Sequence, residues 1–372
     1  MSKDELKSNS LRNEALRRFK KNLWGVLSFW FIVACCFIAI FAYLLAPDNS
    51  QNANQMHISI HSKSPGFSVN MLTIPSIDDT DQSFFDKLFF GKKNTDTEIP
   101  ISSYKFTESS IEIVPYTEGE LIPITKKIGL QTFRGLNSIQ IEENYIQQKT
   151  FLLGTDKYGR DLLSRILVGI RISLSIGFVS VLISLILGIS LGAIAGYFGG
   201  VVDKIIMWLI NVTRSIPTLL MVIAITVALE KGFWQVFVAV GLTMWVEVAR
   251  IVRGQVLGVK QLQYVTAAKA LGYGHYRILM KHILPNSLAP VIVISAANFA
   301  SAILIESGLS FLGIGAQPPM PSWGAMIKDH YSYIILGKAY LAVIPGLAIM
   351  SLVLAFMLIG NALRDALDVK NS

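Results

Sequence analysis

Charged residues are scarce in this chain of 372 residues. Asp, Glu, Lys and Arg make up 16% of it, whereas a soluble domain carries about a quarter. The deficit is concentrated in long apolar runs separated by polar stretches, and hydrophobic residues reach 52%. This pattern excludes a single large soluble core and predicts a protein that crosses a membrane several times.

Cysteine is almost absent as well. The two cysteines, Cys35 and Cys36, are adjacent in the first apolar run, where they cannot form an ordinary structural disulfide with each other. Residues 32–35 resemble a lipoprotein cleavage box, but the apolar run continues to Ala46, which favours a retained anchor over a cleaved signal. We interpret both cysteines as small apolar fillers.

A third absence concerns nucleotide chemistry. The Gly-Lys pairs at 91–92 and 337–338 have neither a Gly five residues before them nor a Ser or Thr after them, so the sequence lacks a Walker A loop. We expect no enzymatic activity, no directly bound cofactor and no ATP hydrolysis by this route. Any energy from ATP must then come from a partner.

Six apolar runs are candidates for membrane spans, each of which needs about 20 residues to cross about 30 Å of hydrocarbon. The fourth run is short, but apolar residues up to Val256 extend it past three charged positions. Six spans place both termini on one side of the membrane. The runs, numbered as spans one to six, are 24–46, 172–195, 205–229, 233–246, 287–305 and 339–363.

Lysine and arginine are distributed unevenly around these spans. Seven lie before Trp24 and six lie between spans four and five, at 250–285, whereas the loop between spans five and six has only Lys328 and Lys338. The positive-inside rule therefore predicts that the N-terminus, the 250–285 segment and the C-terminus are cytoplasmic. The net charge of +8 largely reflects this bias and does not indicate nucleic-acid binding.

Residues 47–150 form a polar stretch between the first two spans. Short alternating runs at 56–60, 110–114 and 121–124, punctuated by prolines, predict a small and mostly β extracytoplasmic insert.

Three glycines, Gly188, Gly192 and Gly196, share one face of span two because they repeat every four residues. Such a face lets a second helix approach closely in a membrane, so we predict a helix-packing role. Residues 188–192 also match the G-x-S-x-G pattern of hydrolases, which requires a strand–turn–helix setting, a His and an acid. In a continuous apolar helix the packing interpretation is favoured, and no catalytic residue is predicted.

The most informative stretch is 264–285. Small residues on one side predict a short helix that can dock closely, and Gly272 and Gly274 can adopt the positive φ of a sharp turn. A second short helix is expected to stop before Pro285. A helix–turn–helix wedge of this kind between spans four and five can transmit force from a soluble partner into the membrane.

This stretch resembles the coupling loop, or EAA motif, of binding-protein-dependent ABC permeases, which in that family inserts into a groove on the ATPase subunit. Residues 154–174, 196–203, 309–324 and 363–368 resemble the C-type permease subunit of dipeptide and oligopeptide transporters. The likeness covers roughly 150–370 and, loosely, the first span. Several ordered matches make it specific, although each alone is weak.

The resemblance implies a role for individual residues in coupling to the ATPase. Thr266 stands where the motif has Glu, which puts in doubt a polar contact made by that Glu but not the docking. Asn211 and Asn361 replace a usual Asp, and Trp208 a usual Arg. The coupling residues implied are Tyr264, Thr266, Ala267, Ala268, Gly272, His282, Leu284 and Pro285.

The fold implied by the resemblance is that of a type I ABC importer permease. This is an all-α polytopic membrane protein with six transmembrane helices, here with a β-rich extracytoplasmic insert after the first. We divide the chain into a cytoplasmic basic tail at 1–23, the first transmembrane helix at 24–46, the insert at 47–150, and the permease domain at 151–372 with its cytoplasmic coupling loop at 260–285.

The function implied is ATP-driven import of dipeptides, oligopeptides or peptide-like compounds across the bacterial cytoplasmic membrane. The implied partners are a second homologous permease, two ATPase subunits that bind ATP and Mg, and an extracytoplasmic substrate-binding protein. The role of the insert at 47–150 stays open between docking that binding protein, capping the pathway and bracing the complex. We favour docking, because this outer face must meet the delivered substrate. Nickel, glutathione or a peptide antibiotic stays open as cargo for the same machinery. From other classes, a stand-alone secondary transporter or channel and a membrane hydrolase stay as alternatives.

Three charged residues in or beside spans are candidates for the translocation path. Glu306 ends span five, Arg214 lies in span three, and Glu247 lies near the cytoplasmic end of span four. A charge at the bilayer centre costs at least about 2.5 kcal/mol, so each should face a cavity or a partner. The alternative is a structural ion pair. His275 and His282 have no carboxylate or thiol nearby in sequence, and no metal site is predicted.

Overall fold

The computed structural model describes residues 11–76, 82–93, 96–118, 125–230 and 232–367. Helices dominate it, and a small sheet follows the first membrane helix. The helices are α1 (Leu11–Lys21), α2 (Leu23–Ile40), α3 (Ala42–Leu45), α4 (Phe84–Phe90), α5 (Ser138–Tyr145), α6 (Leu162–Phe198), α7 (Gly200–Arg214), α8 (Thr218–Ala228), α9 (Phe233–Val259), α10 (Gln263–Ala270), α11 (His275–Ile278), α12 (Leu284–Ser287), α13 (Ala289–Phe311), α14 (Trp323–His330) and α15 (Tyr340–Leu367). The strands are β1 (Phe67–Ile74), β2 (Thr97–Phe106), β3 (Ser110–Pro115), β4 (Lys126–Gly129) and β5 (Ile146–Phe151).

Within the described ranges, five helices are long and apolar enough to cross a membrane. The bent pair of α7 and α8 adds a sixth crossing if the two helices together count as one span. The five are α2, α6, α9, α13 and α15. The predicted class, an all-α polytopic protein with a β-rich insert after the first helix, is confirmed.

Span three was predicted as one helix over 205–229, and this is wrong. The structure has two helices, α7 and α8, that meet at 93°. Pro217 lies at the break with an extended backbone (φ −55°, ψ 127°). Proline disfavours helical geometry in the residue before it and donates no hydrogen bond, so the helix ends there.

Two further boundaries differ from the sequence prediction. Helix α6 spans 37 residues and begins ten residues before span two was expected to start. Helix α13 runs to Phe311, so Glu306 does not end span five but lies buried inside it. Ser310, one turn further on, donates its hydroxyl to Glu306 Oε1 at 2.7 Å. A carboxylate with a local donor no longer needs to end the helix to find water.

The chain divides into two compact units. The helical unit holds the chain up to Cys36, Ser173–Gln317 and the chain from Leu347. One of its cores is built around one face of α9, where Val248, Val252 and Val256 are buried. A second core joins α8, α9 and α13.

The other unit comprises Phe37–Ile172 and Pro318–Gly346, and it contains the insert. Its antiparallel sheet has the strand order β4-β3-β2-β1-β5. Alternate residues of the strands point into one core with α5 and a neighbouring turn, as the period of two requires. Its buried members are Leu72, Ile101, Ile111, Ile113, Phe133 and Ile141.

The alternating runs that predicted strands in the insert have different outcomes. The run at 110–114 is strand β3, as predicted. The run at 56–60 is not a strand; it closes a 3₁₀ turn at Ile58–Ile60, where Ile60 is buried and its carbonyl accepts a hydrogen bond from Thr155 Oγ1. The run at 121–124 lies outside the described residues.

A buried ion pair organises the loop before α6. Asp156 accepts Nε–H of Arg160 at 2.6 Å and the backbone N–H groups of Tyr158 and Arg160. Asp161 caps α6 by accepting the backbone N–H of Ser164 at 2.8 Å. Polar residues of the matched stretch at 154–174 therefore hold the backbone that leads into the second membrane helix.

A second charged cluster joins the sheet to its flanking loop. Glu98 lies 2.7 Å from Lys149 Nζ and 3.5 Å from His57 Nε2. Burial alone would raise the pKa of Glu98, but the hydrogen bonds and charges of its two partners outweigh burial and lower the pKa to about 2. The insert therefore carries a carboxylate that folding keeps ionised.

Candidate functional site

The coupling segment, residues 260–285, folds as two short helices fixed to the membrane helices from one side only. Val265 and Ala268 of α10, and Ile278 and Ile283 after the turn, are buried in the core that α9 shares with α6 and α13. Their neighbours Thr266 and Ala267 are exposed. The segment thus has an inner face that holds it to the membrane helices and an outer face that is open.

The structure agrees with the sequence prediction at the turn and differs from it at the end of the second helix. Gly272 has φ +76°, in open space, as the sharp turn requires. The second helix does not stop before Pro285. It passes through a π-helical turn at Leu279–Ile283 into α12, whose first turn contains Pro285.

Polar contacts close the two arms of the segment on each other. Asn286 Nδ2 donates to the His282 carbonyl at 2.8 Å and to Tyr264 Oη at 3.0 Å. The ring of Tyr273 stacks on His282 with centroids 5.9 Å apart. Tyr264 and His282, predicted separately as coupling residues, are therefore brought together, with Asn286 as the link.

Tyr197 ties the segment to the end of α6. Lys260 Nζ donates to its carbonyl at 2.5 Å, and its hydroxyl lies 2.8 Å from His275 Nδ1. The sequence analysis did not predict these contacts. The segment is thus joined to α6 by direct hydrogen bonds as well as by its apolar core.

The open face of the segment carries apolar side chains that the sequence analysis missed. Leu271 and Tyr276, on either side of the turn, are 72% and 78% exposed, and Leu262 and Met280 are also exposed. Large apolar side chains in an otherwise basic, polar loop are a signal that could have identified them. Large exposed apolar side chains are typical of contact surfaces, so these four are candidates for a binding surface.

The glycine face of α6 lies against α9. Gly188 faces Val248, Gly192 faces the Ala249 carbonyl and Val252, and Gly196 faces the Arg253 carbonyl and Val256. A Cβ atom on Gly196 would lie 2.9 Å from that carbonyl, closer than real Cβ contacts allow. The two helices therefore approach each other at their backbones, as small-residue faces permit in membranes.

A bidentate ion pair joins α7 to α9 beside this contact. Arg253 donates Nε–H and Nη2–H to the two carboxylate oxygens of Asp203 at 2.5 and 2.6 Å. Parallel hydrogen bonds of this type fix both distance and orientation. The structure therefore fastens the helix that precedes the bend to the helix that leads into the coupling segment.

Two of the three candidate path residues share a cavity. Arg214 and Glu247 line a space of about 550 Å³ between α7, α8, α9 and α13. Asn298 lines it too; its side chain is buried and its Nδ2 has no hydrogen-bond partner among the described residues. Glu306 lies elsewhere, buried against Ser310. The cavity offers a cation, an anion and an amide to whatever enters it.

Metal ligation has no geometric support in the part of the chain that the structure describes. Its side chains include no group of three or more His, Cys, Asp or Glu that could hold a metal ion. His275 is engaged with Tyr197, and His282 is stacked on Tyr273.

Two family models match the chain. One, described as the binding-protein-dependent transport system inner membrane component, matches residues 188–371. The other, the N-terminal TM domain of oligopeptide transport permease C, matches residues 10–65. The first match contains the coupling segment, the cavity and the glycine face.

Two relatives align with this chain over most of their own length. The glutathione transport system permease protein GsiD of Pectobacterium atrosepticum is 44% identical over 218 residues, which is 59% of this chain and 72% of that protein. The dipeptide transport system permease protein DppC of Haemophilus influenzae is 45% identical over 220 residues, or 59% and 74% of the two chains.

Solved structures align more weakly. The inward-facing MetNI methionine ABC transporter covers 54% of this chain and 96% of its own at 19% identity, with a TM-score of 0.44. The sequence relatives, by contrast, share more than 40% identity over more than two thirds of their length. The chain belongs to the dipeptide and oligopeptide permease family of ABC-transporter inner membrane components.

Proposed function

We propose that this multi-pass inner membrane protein is one of two homologous permease subunits of an importer that moves peptides into the cytoplasm. Two ATPase subunits supply the energy, and an extracytoplasmic binding protein delivers the substrate. Family membership supports the transport role, and relatives named for dipeptide and glutathione transport support a peptide cargo. The observation that carries the proposal is the coupling segment, held on one face and open on the other.

The proposed orientation places both termini and the coupling segment in the cytoplasm. Helix α1 ends in Arg18, Lys20 and Lys21 just before the first membrane helix, and the coupling segment is basic as well. Lysine and arginine near span ends favour the cytoplasmic side. The insert then lies outside the cell membrane, on the side from which the substrate arrives.

In this mechanism the open face of the coupling segment docks on an ATPase subunit. Leu271 and Tyr276 enter its surface, while Ala267 and Thr266 allow close approach. When the ATPases close on ATP, the segment moves with them. Because Val265 and Ala268 are packed into the core of α6 and α9, the membrane helices move with the segment as rigid bodies. This motion changes the side of the membrane to which the pathway opens.

We assign the polar cavity to the translocation path. Arg214 and Glu247 carry opposite charges, as do the two ends of a free peptide, and Asn298 can bond a peptide group. Charged residues are energetically unfavourable in membrane helices, and where they occur they typically mark substrate paths. Glu306 is not assigned to this cavity, because its carboxylate lies elsewhere.

Glutathione is the second candidate cargo, because one of the similar proteins is named as a glutathione transport permease. It is itself a small peptide with charged ends, so the same cavity chemistry applies. Uptake competition between a dipeptide and glutathione separates the two cargoes. The stand-alone transporter loses support, because the family is one of subunits that work with other proteins.

The proposal is tested by purifying the tagged assembly from gently solubilised membranes and identifying its members by mass spectrometry. We expect a second permease and ATPase subunits. Leu271→Asp and Tyr276→Asp should lose the ATPases and keep the permease. Ile139→Asp is the control, since Ile139 on α5 of the insert is 69% exposed against 72% for Leu271. ATPases retained by both coupling variants would contradict the docking surface.

A further inference from the structure

Helix α4 of the insert exposes an unusual amount of aromatic surface. Its four phenylalanines are between 45% and 67% exposed, and Leu88 is its buried apolar residue. The insert already has a filled core beneath its sheet, so these rings are not needed for its folding. A cluster of large exposed apolar side chains marks a contact surface. The rings are Phe84, Phe85, Phe89 and Phe90.

This helix is pinned beside the end of the first membrane helix. It packs on α3, the four-residue continuation of α2. At its C-terminal end Gly91 has φ +75°, and a Cβ there would lie 2.9 Å from Tyr43 Cε1 and 3.0 Å from the Asn49 carbonyl. Lys92 donates its backbone N–H to Asn49 at 2.9 Å. The exposed rings are therefore held at a fixed place relative to α3.

The depth of α3 in the membrane follows from length. Residues 23–45 form an almost continuous helical stretch, which at about 1.5 Å per residue is about 34 Å long. The hydrocarbon core is about 30 Å thick, so the stretch slightly exceeds it. Leu44 and Leu45 are exposed on α3, and both lie at the boundary between hydrocarbon and headgroups. Helix α4, packed beside them, lies at the same level.

We propose that α4 is an interfacial anchor whose phenylalanine rings insert into the leaflet on the insert's side of the membrane. Helices that lie in the interface carry aromatic and apolar side chains toward the acyl chains and basic side chains toward the headgroups. Lys87 and Lys93 are exposed next to the rings and can pair with lipid phosphates, while Asp86 is the acid of the helix.

The anchor gives the insert a role that the sequence analysis left open. It ties the sheet to the bilayer at the level of α3. A bilayer is favoured over a protein partner because α4 packs on α3, which continues the first membrane helix to the edge of the hydrocarbon. The inference goes beyond the transport role and requires only that α2 spans the membrane.

The test places a nitroxide at position 85 or 139 of the purified full chain and reconstitutes the labelled chain in phosphatidylethanolamine and phosphatidylglycerol vesicles. Phe85→Cys and Ile139→Cys are matched, at 67% and 69% exposure on two helices of the insert. Both carry Cys35→Ala and Cys36→Ala, so that one thiol reacts. Collisions with oxygen, which concentrates in lipid, are compared with collisions with a water-soluble nickel chelate.

We expect the oxygen-to-nickel accessibility ratio to be several-fold higher at position 85 than at position 139. Equal ratios at the two positions, both with high nickel accessibility, would show that α4 faces water and overturn the anchor. Low accessibility to both reagents at position 85 would show that a protein covers the rings and would overturn it equally. The readout does not depend on transport, so it stands apart from any failure of the importer proposal.

Discussion

Replacing Gly192 with valine should separate α6 from α9. The new Cβ would lie 2.9 Å from Val252 Cβ and press against the Ala249 carbonyl, which is backbone and cannot move aside as a side chain can. Overpacking of this kind costs about 1–3 kcal/mol. Valine gains at most about 0.5 kcal/mol over glycine in helix propensity. The clash therefore dominates, and the variant is less stable.

The matched control is Gly254→Val on α9. It makes the same change in helix propensity, but no atom lies within 4 Å of a Cβ built there. We expect scanning fluorimetry of the purified protein to show a melting temperature several degrees lower for Gly192→Val and unchanged or slightly higher for Gly254→Val. Equal melting temperatures for Gly192→Val and the unmodified protein would refute the close-packing argument.

Three further predictions concern charged groups. Asp203→Asn should lower the melting temperature. Arg253→Lys should also lower it, because an ammonium group does not reproduce the two parallel hydrogen bonds of the guanidinium. An unchanged melting temperature in Arg253→Lys would contradict the bidentate pair. Folding lowers the pKa of Glu98 from 4.5 to about 2, so the ionised carboxylate stabilises the folded protein above pH 4.5 and this stabilisation is lost as pH falls toward 2. Thermal unfolding measured at a series of pH values should show a melting temperature that falls over this range. The Glu98→Gln variant should lack this contribution to the pH dependence. Glu247→Gln should reduce uptake of a labelled dipeptide while the assembly still forms, whereas Glu230→Gln, outside the cavity lining, should leave uptake unchanged; equal uptake in both would remove Glu247 from the path.

The membrane architecture was predictable because its signals are local. A run of apolar residues acts within one segment, so the five long membrane helices and a β-rich insert follow from the sequence. The turn at 260–285 was predictable because its alanines and Gly272 lie within a few residues of one another.

The parts that sequence did not reveal depend on distant partners or on competition between local preferences. At span three, the apolar run favours one helix, but Pro217 breaks it. At Glu306 the charge suggested a helix end, whereas a hydroxyl one turn away satisfies it inside the helix. Ile58–Ile60 has the alternation of a strand, yet its carbonyl partner Thr155 lies 95 residues away. No pattern within one segment encodes such pairings.

The central claim is that this chain is one of the two membrane-spanning subunits of an ATP-driven importer. The most direct measurement reconstitutes the chain with its second permease, ATPases and binding protein in vesicles and follows accumulation of a labelled dipeptide. The account predicts accumulation that requires ATP and that is abolished by Leu271→Asp but not by Ile139→Asp. Accumulation driven by an ion gradient without ATP, and unaffected by Leu271→Asp, would contradict it.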